Sequence, residues 1–182
     1  MLRITIPATE LWDEKNERFI TVKEQTLQLE HSLVSLSKWE SKWCKPFLYT
    51  RNKTYEEIID YIKCMTITQN VPDHAYLGIT QENINQIEAY IQAPMTATTY
   101  SNKQKGKINN EIVTAEIIYY WMIALNIPPE YRKWHINSLI TLIDVCNIKN
   151  KNQKPKRIST SEAINRDAAL NAQRRKMLNS KG

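Results

Sequence analysis

The chain has 182 residues, 42% of them hydrophobic and 24% charged, which suits one globular domain with an appendage and enough apolar material for a core. Its three glycines (Gly78, Gly106, Gly182) argue against glycine-turned sandwiches and barrels and against a phosphate-cradling loop. The three widely spaced cysteines (Cys44, Cys64, Cys146) fit free thiols in a reducing compartment, not a zinc knuckle or redox pair.

Residues 2–30 read as strands. Leu2 to Ile6 alternates apolar and polar, as a half-buried strand does. Glu10-Leu11-Trp12 and Phe19-Ile20-Thr21-Val22 flank a polar stretch and read as a hairpin, and Thr26 to Glu30 alternates again. The period then becomes helical. Ser32 can cap a helix with the stripe Leu33, Leu36, Trp39 and Trp43, ended by Pro46. Thr54-Tyr55-Glu56-Glu57 is a capping box that opens a helix through Met65. Thr80 opens another, closed before Pro94, and Met95 to Gly106 is a polar connection.

Residues 110–126 form the most apolar helix, expected at the centre of the core because apolar side chains occupy nearly all its sides. Tyr119, Tyr120 and Trp121 cannot all point one way, so at least one ring is expected at a surface. Pro128-Pro129 is expected to start a fifth helix through Cys146. Residues 147–158, with Pro155, read as a linker, and Ser159-Thr160-Ser161-Glu162 as a second capping box for a thinly apolar last helix. The expected fold is α+β, mainly α: an N-terminal β unit over 1–31, a helical core over 32–148 forming one globular domain with it, and a basic linker and helix over 149–182.

The net charge of +6 is uneven. Residues 149–182 hold ten basic groups against two acidic ones, and residues 1–148 hold 15 against 17, so a near-neutral body carries a basic tail. Lys154, Lys156, Arg157, Arg174, Arg175 and Lys176 are its candidate adhesive residues. They could dock on an acidic protein surface, neutralise nucleic-acid phosphates, or form a solvated extension. The tail lacks aromatic rings on which bases could stack, which weakens the nucleic-acid reading. Trp39 and Trp43 lie four apart on one helix face, which is either core or a partner-binding surface.

No catalytic, cofactor or metal residues are assigned. His31, His74 and His135 show no helical ligand spacing, and Glu56, Glu57 and Asp60 fit helix capping better than acid–base work. Cys64 with His74 has no identifiable third member. The N-terminus has no signal-peptide run, and the longest apolar stretch, Ile117 to Leu125, is too short to cross a bilayer. A soluble binding protein is expected, not an enzyme.

The segment Thr26-Leu27-Gln28-Leu29-Glu30-His31-Ser32-Leu33-Val34-Ser35-Leu36-Ser37-Lys38-Trp39-Glu40 resembles proteins of tailed bacteriophages that infect Gram-positive bacteria. So do Asp60-Tyr61-Ile62-Lys63-Cys64-Met65-Thr66, Ala115-Glu116-Ile117-Ile118-Tyr119-Tyr120-Trp121-Met122 and the ending Ala168-Ala169-Leu170-Asn171-Ala172. The likeness extends over most of the chain and carries no catalytic motif. It implies a tail assembly chaperone that holds the tape measure protein in the host cytoplasm without a cofactor, with self-association left open. The alternatives are a virion component (neck or tail completion) and a nucleic-acid-binding regulator.

Overall fold

A computed structural model describes residues 1–14, 17–98, 112–153 and 160–178. The fold is α+β and mainly α. Four short strands, β1 (Leu2–Ile6), β2 (Thr9–Asp13), β3 (Arg18–Val22) and β4 (Gln25–Leu29), precede six α-helices. These are α1 (Leu33–Trp43), α2 (Tyr55–Met65), α3 (Gln81–Gln92), α4 (Ala115–Ala124), α5 (Ile136–Gln153) and α6 (Thr160–Met177), with 3-10 turns at Asp73–Gly78 and Pro129–Lys133. The chain divides into two compact units, Met1–Asn147 and Ile148–Gly182.

The strands form one interrupted antiparallel hairpin. β1 pairs with β4 as far as Ile6 opposite Gln25, and β2 pairs with β3 from Thr9 opposite Val22. Two residues on each side, Pro7-Ala8 and Lys23-Glu24, separate the ladders without a register slip. Pro7 has no N–H to offer, so a ladder break there is the expected result. The break exchanges which residues face inward: Ile4 and Ile6 are buried before it, whereas Leu11, an odd position, packs on the core after it. The 3-10 turn packs on the inner face at this point. A Cβ on Gly78 would stand 2.9 Å from Ile6 Cγ2 and 3.0 Å from Val22 Cγ1, so only glycine fits the close approach.

Three helix starts follow their local chemistry. Ser32 with Ser35, Thr54 with Glu57, and Thr80 with Asn83 each form reciprocal capping bonds. α1 lies against α2 and α4, and α3 packs on β1. The core joins Ile4, Ile6, Leu27 and Leu29 of the hairpin to Leu33, Leu36 and Trp39 of α1 and to Ile62, Ile118, Ile136 and Leu139.

Three expectations need correction. α4 is not the central helix: it packs on α1, burying Ala115, Ile118 and Met122, while Tyr120 and Ile123 are exposed. Overall apolarity counts side chains but does not supply neighbours for them. The fifth helix does not start at Pro128-Pro129, because those residues lead into a 3-10 turn and α5 begins at Ile136. There the Ile136 N–H donates to the His31 carbonyl at 2.8 Å and His135 bridges Ser32, so the chain is pinned before the helix opens. Finally, residues 147–153 continue α5 instead of starting a linker, since nothing before Pro155 breaks the helix. Residues 154–159 lie outside the described residues.

Candidate binding surfaces

The two tryptophans separate. Trp39 is wholly buried, its indole N–H donating to the Glu57 carbonyl at 2.9 Å, with Phe47 edge-on at 5.1 Å. Of the two readings open for this face, core holds at Trp39, because α2 and Phe47 cover it, and the partner-binding alternative is withdrawn there. Trp43 is half-buried and donates to Asp60 Oδ2 at 2.9 Å, while Lys42 pairs with the other Asp60 oxygen. Arg174, Arg175 and Lys176 occupy the last turn of α6, where every side chain from Ile164 to Leu178 is exposed. Lys154, Lys156 and Arg157 lie outside the described residues.

The structure exposes apolar surface elsewhere. Trp12 and Phe19 are cross-strand partners on the outer face of the distal hairpin, 52% and 67% exposed, with ring centroids 4.9 Å apart edge-to-face. Glu10 shares that face and is exposed, as are Glu14 and Glu17 at the turn. On α4, Tyr120 and Ile123 are 66% and 76% exposed, and Ile112, just before the helix, is also open. Strand alternation does place Trp12 and Glu10 on one face, but nothing local shows that this face lacks a cover.

The acidic candidates are structural. Glu57 is buried, accepts from the Thr54 N–H at 2.8 Å and takes Lys45 Nζ at 2.6 Å; the lysine and the amide hold its carboxyl below the ordinary range. Glu40, which local sequence gives no reason to single out, is also buried. Its two oxygens accept the Phe47 N–H at 2.8 Å and the Ala115 N–H at 2.7 Å, so α1 caps α4 across the fold. Burial raises the Cys64 thiol above its ordinary range, the opposite of an activated nucleophile, and His74 is exposed on the 3-10 turn.

His31 and His135 meet inside the Met1–Asn147 unit, with ring centroids 5.1 Å apart. His31 Nδ1 lies 2.5 Å from the Tyr61 hydroxyl. His135 Nε2–H donates to the Tyr90 carbonyl at 3.1 Å while its Nδ1 accepts from the Asn137 N–H, which fixes a neutral tautomer. Burial lowers both imidazoles, that of His31 to about 3. Tyr90 in turn donates to Glu30 at 2.7 Å. Tyr90, Glu30 and His135 border an open cleft of about 600 Å³ that Lys133, Trp134 and Ser138 also line. Among the described residues no group of three or more His, Cys, Asp or Glu is placed to hold a metal ion, and no helix is long and apolar enough to cross a membrane.

No protein-family model, no curated protein and no solved structure matches this chain.

Proposed function

We propose that this protein is a tail assembly chaperone of a tailed bacteriophage, binding the helical tape measure protein through exposed apolar surface and a cationic helical arm. The observation that carries the binding reading is α4. It buries Ala115, Ile118 and Met122 and packs Tyr119 and Trp121 partly on the core, yet leaves Tyr120 and Ile123 in solvent. Large apolar side chains grouped on one helix face are the usual mark of a docking surface, and an amphipathic helical client supplies the matching stripe. The phage assignment and the identity of the client rest on the sequence resemblance.

Co-expression with the tape measure protein of the same phage tests the proposal. The expected result is a soluble client that co-purifies with this chain at low salt. Two folded proteins that do not co-purify would refute it.

A virion component is the second reading, favoured by α6: a helix whose described side chains are exposed along its length gains stability from neighbouring subunits. Protein analysis of purified particles separates the two. A chaperone is missing from the finished virion, whereas a neck or completion protein is present at fixed stoichiometry.

A further inference from the structure

We propose that the outer face of the distal hairpin is a docking site for the α6 arm of a second copy of this chain. The hairpin face is an aromatic pair in an acidic setting. Trp12 and Phe19 stand exposed at its centre, with exposed Glu10, Glu14 and Glu17 around them. Over residues 9–24 five carboxylates oppose three cations. A face of that sign repels nucleic acid and also repels the same face of another molecule, so neither phosphate nor a hairpin-to-hairpin dimer suits it.

The chemistry it does suit is present elsewhere on the chain. The last turn of α6 carries Arg174, Arg175 and Lys176, followed by Met177 and Leu178, which are 81% and 76% exposed. Guanidinium groups stack on Trp and pair with carboxylates, and a Met thioether packs against aromatic rings. The two surfaces therefore complement each other in both charge and apolar content. Because face and arm differ, the contact is heterologous: it propagates from copy to copy or closes into a ring, of which a reciprocal exchange of arms between two copies is the smallest. This contact shares the cationic arm with the client-binding proposal but not α4, and it is tested with no client present.

Sedimentation velocity of the full chain over a range of concentrations tests it. Mass should rise with concentration at about 0.1 M salt and fall back to monomer near 1 M, where the screening length shrinks from about 10 Å to about 3 Å. Trp12→Ser should weaken association about 30-fold, the loss expected of a central aromatic anchor. The decisive step is complementation. A W12S/F19S copy retains the arm, and an R174E/R175E/K176E copy retains the face; each alone should be monomeric, and an equimolar mixture should form a one-to-one complex.

E10K/E17K, which leaves the aromatic pair intact, should also abolish self-association, and combining it with the reversed arm in one chain should restore it. Unchanged melting temperatures confirm that each variant folds. A wild-type chain that stays monomeric at all concentrations overturns the proposal, including the case in which the arm is bound to its own body. So does a mixture that stays monomeric, or an association that neither set of substitutions weakens.

Discussion

Replacing Glu40 with Ala should be among the most damaging single changes to this fold. The carboxylate sits on α1 and joins it to the loop at Phe47 and to the first turn of α4, with one backbone N–H on each oxygen. Thr114, at the N-cap of α4, makes no side-chain capping bond of its own, so Glu40 does this work from 75 residues away. A hydrogen bond to a charged acceptor contributes about 1.5–3 kcal/mol, and losing it leaves a buried N–H without a partner. Two such bonds, with partial rescue by water, give about 3–5 kcal/mol for E40A, a large share of the roughly 5–15 kcal/mol that holds a domain together. Glu40→Gln keeps one acceptor but turns an NH2 toward the other amide, and should cost about half as much, on the order of 2 kcal/mol.

Urea unfolding followed by tryptophan fluorescence measures both, as a fall in midpoint at constant slope. Glu56→Ala is the comparison: that side chain is exposed in the first turn of α2 and should cost only about 0.5 kcal/mol. The Ala115 and Phe47 amides should lose hydrogen-exchange protection in E40A. A loss below about 1 kcal/mol with those amides still protected would refute the reasoning, since it would mean that neither bond contributes as charged capping bonds do.

Stability should also fall with acid in a defined window. The unfolded histidines protonate near 6.5, whereas burial keeps folded His31 neutral down to about 3, so the unfolded state binds more protons between those values. His135 shifts in the same direction. The pH dependence below 6.5 should reach about 1.4 kcal/mol per unit for each buried histidine and should flatten in His31→Gln, read as the slope of unfolding free energy against pH. Gly78→Ala should cost about 1–3 kcal/mol by thermal or urea unfolding, because the new methyl meets the stiff branched carbons of Ile6 and Val22. Trp39→Ala should cost about 3–5 kcal/mol in the same assay, consistent with a core residue.

Much of the local structure was legible because short-range physics determines it. Period-two alternation marks β1 and β4, the polar stretch between two flanking runs marks the β2–β3 hairpin, and Ser32, Thr54 and Thr80 announce helix starts through side chains only three residues from their partners. Tyr120 is the exposed ring that the Tyr-Tyr-Trp run required. What failed was everything set by distant neighbours. The stripe of α1 contained both Trp39 and Trp43, but only the placement of α2 and Phe47 decided that one ring is sealed and the other half-open.

Hydropathy misplaces α4 for the same reason: it reports how much a helix could bury, while the fold decides how much it does bury. Glu40 reaches Ala115 across 75 residues and His31 meets His135 across 104, pairings that no local spacing encodes. For the binding surfaces, the residue types and one exposed ring on α4 are visible in the sequence, while which ring it is and the exposure of the hairpin pair are not.

The most direct test of the account is a soluble co-expression comparison between the wild-type chain and Tyr120→Ser/Ile123→Ser, each with the tape measure protein. Both side chains are exposed, so the double variant should unfold within about 0.5 kcal/mol of wild type. The wild-type chain should hold the client in solution, and the equally stable variant should let it precipitate. A variant that keeps the client soluble as well as wild type does would contradict client binding through α4.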